Sequence, residues 1–121
     1  MQNARVLIVE DDEIIRDFLQ DSLEMKGFVP TWARDGVEAL ASLERDEVDL
    51  VLSDVRMPEL DGIELTRRIA ERFPGLPVVL ITGIHAEERD RILAESGAKA
   101  VLPKPLRIKH LVEVLEAACS G

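Results

Sequence analysis

Aromatic residues are nearly missing from this chain, which has three Phe, one Trp and no Tyr in 121 residues. Its core must therefore be aliphatic. A lone cysteine, Cys119, rules out an internal disulfide and gives no sign of an oxidising compartment. It falls on the apolar stripe of the last predicted helix, so a buried structural thiol is expected. No apolar run approaches the ~20 residues that span a bilayer. The N-terminal Met1-Gln2-Asn3-Ala4-Arg5 leads into the first strand without a signal-peptide hydrophobic region. A soluble, cytoplasmic protein without a membrane partner is the expectation. Lys and Arg are outnumbered by Asp and Glu, 15 to 24, for a net charge of −9. That balance argues against direct nucleic-acid binding, which needs clustered basic residues.

Hydrophobic residues make up 46% and both charge signs are spread along the chain, as in a globular fold rather than a disordered one. The length suits one domain over residues 1–121, able to bury roughly two-thirds of its unfolded surface.

Strand and helix patterns alternate five times. The strand patterns are Val6 to Val9, Val29 to Ala33, Leu50 to Ser53, Val78 to Ile81 and Val101-Leu102. Between them, Ile14, Ile15, Phe18, Leu19 and Leu23 recur at helical spacing, and Gly27 ends that helix. Asp35-Gly36 opens a second helix marked by Val37, Leu40 and Ala41. The loop Met57-Pro58-Glu59-Leu60-Asp61-Gly62 opens a third, with Ile63, Leu65, Ile69 and Phe73. A fourth, about Ala86 to Glu95, has the poorest apolar stripe and should dock least firmly. The fifth carries Ile108, Leu111, Val112, Leu115 and Cys119 on one face. Right-handed crossovers predict a flavodoxin-like (βα)₅ doubly wound parallel sheet of order 2-1-3-4-5, with no room left for an output domain.

Such sheets bind ligands at the carboxyl ends of their strands. Four of the five strands end there on polar groups: Glu10-Asp11-Asp12, Asp54, Thr82 and Lys104. Gathering Glu10, Asp11 and Asp54 is costly unless some protonate or a cation joins them. Mg²⁺ is the natural cation, being content with one or two carboxylates while keeping positions for water and phosphate oxygens. Lys104, held between Pro103 and Pro105, can pair with a carboxylate or a phosphoryl oxygen. Thr82 offers a hydroxyl next to Gly83. Taken singly, each has a plainer explanation: a solvated acidic turn, a surface lysine, a strand-end threonine.

The runs Val-Leu-Ile-Val-Glu-Asp-Asp-Glu (6–13), Asp-Leu-Val-Leu-Ser-Asp-Val-Arg-Met-Pro-Glu-Leu-Asp-Gly (49–62), Pro-Val-Val-Leu-Ile-Thr-Gly (77–83) and Gly-Ala-Lys-Ala-Val-Leu-Pro-Lys-Pro (97–105) together resemble the receiver domain of bacterial two-component response regulators. The resemblance covers essentially the whole chain. It implies Asp54 as phosphoacceptor, with Thr82 and Lys104 contacting the phosphoryl oxygens. It implies Mg²⁺ held by Glu10 (through water), Asp11, Asp54 and the backbone carbonyl of Arg56. The implied donor is a sensor histidine kinase or phosphotransfer protein. The implied output is a partner or attached effector domain reached through helix 4, strand 5 and helix 5, and a phosphorylation-dependent homodimer stays open. Asp12 matches no site position and reads as a helix-capping acid.

Three departures from the family pattern carry expectations. Val101 stands where Tyr or Phe is usual, so it has no ring to swing. Arg56 and Ile84, flanking the phosphoryl position, cannot orient water, which predicts a persistent phosphorylated state. On the output surface, Glu87, Arg91, Lys99, Lys109, His110 and Glu113 are offered, and Lys99-Ala100 replaces an acidic pair used in one dimer type. His110 reads as an ordinary exposed helix residue, and Trp32 as packing that can serve as a fluorescence reporter.

Other functions fit less well. Aspartyl phosphatases on such sheets show Asp-x-Asp after the first strand, where this chain has Glu10-x-Asp12, so a turnover enzyme is not expected. A flavin carrier is disfavoured because four acids would repel the cofactor phosphate. A binding module without phosphorylation would leave a complete set of site groups unused.

Overall fold

The computed structural model describes residues 3–57, 60–83 and 86–120, with side chains for all of these but 86, 87 and 120. Five strands, β1 (Arg5–Val9), β2 (Val29–Ala33), β3 (Leu50–Asp54), β4 (Val78–Thr82) and β5 (Ala100–Pro103), alternate with five helices. These are α1 (Glu13–Met25), α2 (Gly36–Arg45), α3 (Gly62–Arg72), α4 (Ala86–Ser96) and α5 (Ile108–Ser120). All strand pairs are parallel and the order is β2-β1-β3-β4-β5, the expected doubly wound arrangement.

Alternate strand residues point to opposite faces, so the sheet feeds two cores. Leu7, Val9, Val51, Leu80 and Val101 pack with α2, α3 and α4 through Leu40, Leu65, Ile69 and Ile92. Val6, Ile8, Leu52, Ile81 and Leu102 pack with α1 and α5 through Leu19, Leu23, Leu111 and Leu115. Every residue of β3 and β4 is buried, which explains their unbroken apolar runs. Val101 belongs to the first core, so the position that carries an aromatic ring in relatives of this pattern is ordinary aliphatic packing here.

The chain reverses at helix ends as its turn residues dictate. Asp12 caps α1, accepting hydrogen bonds from the backbone of Ile14 (2.9 Å) and Ile15 (3.3 Å). Asp35 and Asp61 cap α2 and α3 in the same way. Gly27, after α1, has φ +92°, a conformation that L side chains rarely adopt.

Several faces differ from the expectation. Ile14 is 82% and Phe18 53% exposed, and Ile15 is also exposed, so only Leu19 and Leu23 of the α1 stripe are core. On α2 the buried hydrophobic side chains are Ala39, Leu40 and Leu43, with Val37 and Ala41 outside. Trp32 is not core packing either, since it lies half-exposed on edge strand β2 with the Arg16 guanidinium stacked 3.9 Å from its ring centre. Cys119 is half-buried; burial, reinforced by Asp49, pushes its thiol pKa up, away from reactivity. On α4, Ile92 and Ser96 are buried among the described side chains, while Leu93 stays exposed. Pro58, Glu59, Ile84 and the side chains of Ala86 and Glu87 lie outside the described residues.

Candidate functional site

The chain leaves β1 toward β2 on one side while β3 lies on the other, so the crevice above β1 and β3 is where the winding reverses. A pocket of about 440 Å³ opens there, lined by Glu10, Asp11, Asp12, Ile15, Asp54, Arg56, Gly83 and Lys104. Residues from Glu10 to Lys104 meet because parallel strands deliver all their carboxyl ends to one edge. Strands β1 and β3 are in register from Val6↔Leu50 to Val9↔Ser53, which brings the next residues along, Glu10 and Asp54, side by side.

Each side chain is held by backbone. Glu10 is anchored through its own N–H, which donates to the Ala33 carbonyl (3.0 Å), and its carboxylate accepts from the Asp12 N–H (3.1 Å). Asp54 accepts from the Arg56 N–H through Oδ1 (3.1 Å) and from Lys104 Nζ through Oδ2 (2.7 Å). Lys104 is fixed in turn by its N–H donating to the Thr82 carbonyl (2.8 Å), and its bond to Pro105 is cis. Thr82 itself is buried and does not line the pocket; its neighbour Gly83 does.

The electrostatics are lopsided. Burial pushes the Glu10 carboxyl up from 4.5 to about 7, with Asp54 and Asp11 adding to the rise, while the Asp12 N–H and Lys104 oppose it. Partial burial works against the Lys104 ammonium, yet its hydrogen bond to Asp54 and the fields of Asp54, Glu10 and Asp11 outweigh that and hold its pKa above the ordinary value. One ammonium thus serves three clustered carboxylates. Among the described residues no group of three His, Cys, Asp or Glu side chains forms a metal cage by itself. A hard ion that keeps several waters needs none, and an all-oxygen donor set around an under-compensated buried carboxylate suits such an ion.

Two features escaped the sequence reading. Ile15, one of the apolar residues at helical spacing in α1, is exposed and lines the pocket. Gly62 is buried against the site: a Cβ there would meet the Asp54 carbonyl oxygen and lie 2.9 Å from Val55 Cα. The Asp61-Gly62 pair in the loop motif was visible, but what crowds it comes from β3 and cannot be seen locally.

Known proteins are similar to this chain in sequence and fold. A family model described as the response regulator receiver domain matches residues 6–116. Response regulator MprA of Mycobacterium ulcerans is 34% identical over 115 residues, covering 95% of this chain and 50% of that protein. Sensor histidine kinase RcsC of Salmonella typhi is 43% identical over 111 residues, covering 91% of this chain and 12% of that protein. The chain therefore spans half or less of these curated relatives' length. Among solved structures, the Francisella response regulator 1452 receiver domain superposes with a TM-score of 0.90 at 28% identity, covering 98% of both chains.

Proposed function

This chain belongs to the response regulator receiver domain family, whose members serve phosphorelay signalling, and from that premise we propose that it is a single receiver domain over residues 1–121 that accepts a phosphoryl group on Asp54. The observation that carries this reading is the convergence of Glu10, Asp11, Asp54, Arg56 and Lys104 on one pocket. An Asp54 carboxylate oxygen attacks phosphorus; a P–O bond forms, the P–N bond to a phosphohistidine breaks, and its electron pair leaves with the imidazole. Little proton transfer is needed, so positioning and charge neutralisation carry the reaction. Arg56 N–H orients Asp54, and Lys104, already on Oδ2, follows the charge onto the incoming phosphoryl oxygens. Thr82, behind the pocket, hydrogen-bonds them once they arrive. Asp11, Asp54, the Arg56 carbonyl and, through water, Glu10 would hold Mg²⁺. That ion supplies further neutralisation of the phosphoryl oxygens. Phosphorylation then favours the conformation in which Thr82 and Lys104 are engaged, altering the surface of α4, β5 and α5 toward an output partner in the cytoplasm.

Incubation with acetyl phosphate tests this. We expect the mass of one phosphoryl group to be added, mapped to Asp54, dependent on Mg²⁺ and absent in Asp54→Asn. Addition elsewhere, or undiminished in EDTA, contradicts the reading.

The phosphodonor must bring its histidine to this pocket, and an apolar groove of about 460 Å³ continues from it. Ile15, Gly83 and Lys104 border both, and Phe18, Leu19 and Leu106 extend the groove. We infer that a helix of the kinase or phosphotransfer protein covers Phe18 as the histidine approaches. Burying the half-exposed ring contributes about 1–1.5 kcal/mol, enough for roughly tenfold in encounter affinity. Phe18→Glu should therefore slow transfer from the protein donor about tenfold or more while leaving acetyl phosphate incorporation unchanged. Equal slowing with both donors would instead place the defect in the pocket.

A further inference from the structure

Beyond the β5–α5 turn, on the side away from α1, lies a second groove of about 440 Å³. Its ionisable lining is wholly basic among the described residues: Arg89 from α4, Arg107 just before α5, and His110 in its first turn. In a chain of net charge −9 this is a local reversal of sign. The rest of the lining, the floor, is apolar: Leu102, Pro103, Pro105 and Leu106. Among the described residues neither guanidinium is spent on an ion pair, and His110 has only a loose approach of 4.0 Å to Glu113.

We propose that this groove binds an acidic segment of a partner protein, carboxylates on Arg89 and Arg107 and one aliphatic side chain on the Leu102–Leu106 floor. Guanidinium forks on two segments match paired carboxylates, and their separation by an apolar floor asks for a mixed acidic and aliphatic sequence rather than a lone anion. A second copy arranged two-fold about the groove would set Arg against Arg, so an isologous dimer centred there is opposed by like charge. The inference deepens the output-surface reading and rests on it, but not on phosphorylation of Asp54: the groove contains no residue of the pocket.

The test is an amide chemical-shift titration of the unphosphorylated full chain at low salt, repeated on Asp54→Asn. The probe is the blocked peptide Ac-Asp-Asp-Leu-Glu-Asp-Leu-NH₂, with Ac-Lys-Lys-Leu-Arg-Lys-Leu-NH₂ and a short DNA duplex as comparisons. Shifts should cluster at 89 and 102–110, and the affinity should fall at least tenfold in Arg89→Glu/Arg107→Glu. The same fall should appear in the milder Arg89→Gln/Arg107→Gln if charge reversal disturbs folding. Scattered shifts, equal shifts with the basic peptide, DNA binding as tight as the acidic peptide, or unchanged affinity in the double variants would overturn the proposal. Because Asp54→Asn keeps the groove, its binding the peptide normally while failing to accept phosphate separates this inference from the phosphoacceptor reading.

Discussion

Gly62→Ala is expected to cost about 2–3 kcal/mol of stability and to slow phosphoryl incorporation at Asp54 at least tenfold. Gly62 starts α3, and its N–H donates to the Val55 carbonyl at 2.8 Å, tying the helix to the strand end that carries Asp54. The added methyl would collide with the Asp54 carbonyl oxygen, approach Val55 Cα to 2.9 Å and Leu80 Cδ2 to 3.1 Å. Two of these three are backbone, which cannot rotate aside as a side chain can. Relief must come from moving α3 or the β3 end, and the second displaces the Asp54 carboxylate from Lys104. Gly75, by contrast, has open space where its Cβ would be, so Gly75→Ala should register only the strain of its positive φ and leave phosphorylation alone. Urea unfolding and acetyl phosphate kinetics on both variants check this. A Gly62→Ala protein that reacts at the wild-type rate would show that the crowding is absorbed without touching the site.

Glu10→Gln is expected to stabilise the metal-free protein at alkaline pH. The folded-state pKa of Glu10, about 7, lies above its ordinary 4.5, so the folded state holds the proton more tightly than the unfolded state does. The contribution to stability is greatest below 4.5, falls as pH rises between these values, and is a full penalty above about 7. The whole shift would correspond to roughly 3 kcal/mol at 1.36 kcal/mol per pKa unit, and water at the open pocket mouth reduces this to about 1–2 kcal/mol. In EDTA, Glu10→Gln should gain that much over the wild type at pH 8 and little at pH 5. With Mg²⁺ present the gain should shrink or reverse, because a carboxylate that is costly alone is useful beside a cation. Denaturant midpoints at the two pH values decide the matter; an advantage independent of pH would mean that Glu10 is not the group responsible.

Much of the site was legible because it depends on strand ends. In a doubly wound parallel sheet the polar residues at the strand ends reach the carboxyl edge, so Glu10, Asp11, Asp54 and Lys104 could be placed together from strand periodicity and the resemblance to receiver domains. Asp12 was equally readable as a cap, since capping is decided within four residues. Helix faces were less so. Ile14, Phe18 and Val37 fit an apolar period yet face outward, because a period shows that one face is apolar without saying how far along the helix the sheet reaches.

From its own order of residues, then, this chain determined five βα units, their winding and the meeting of acids and lysine at one rim, because period, caps and crossover handedness are local or nearly local properties. The tertiary structure alone decided the crowding around Gly62, the partial neutralisation of three carboxylates by Lys104, the apolar rim at Phe18 and the basic groove of Arg89 and Arg107. Each of these depends on distances between segments remote in sequence, and no local pattern encodes such distances.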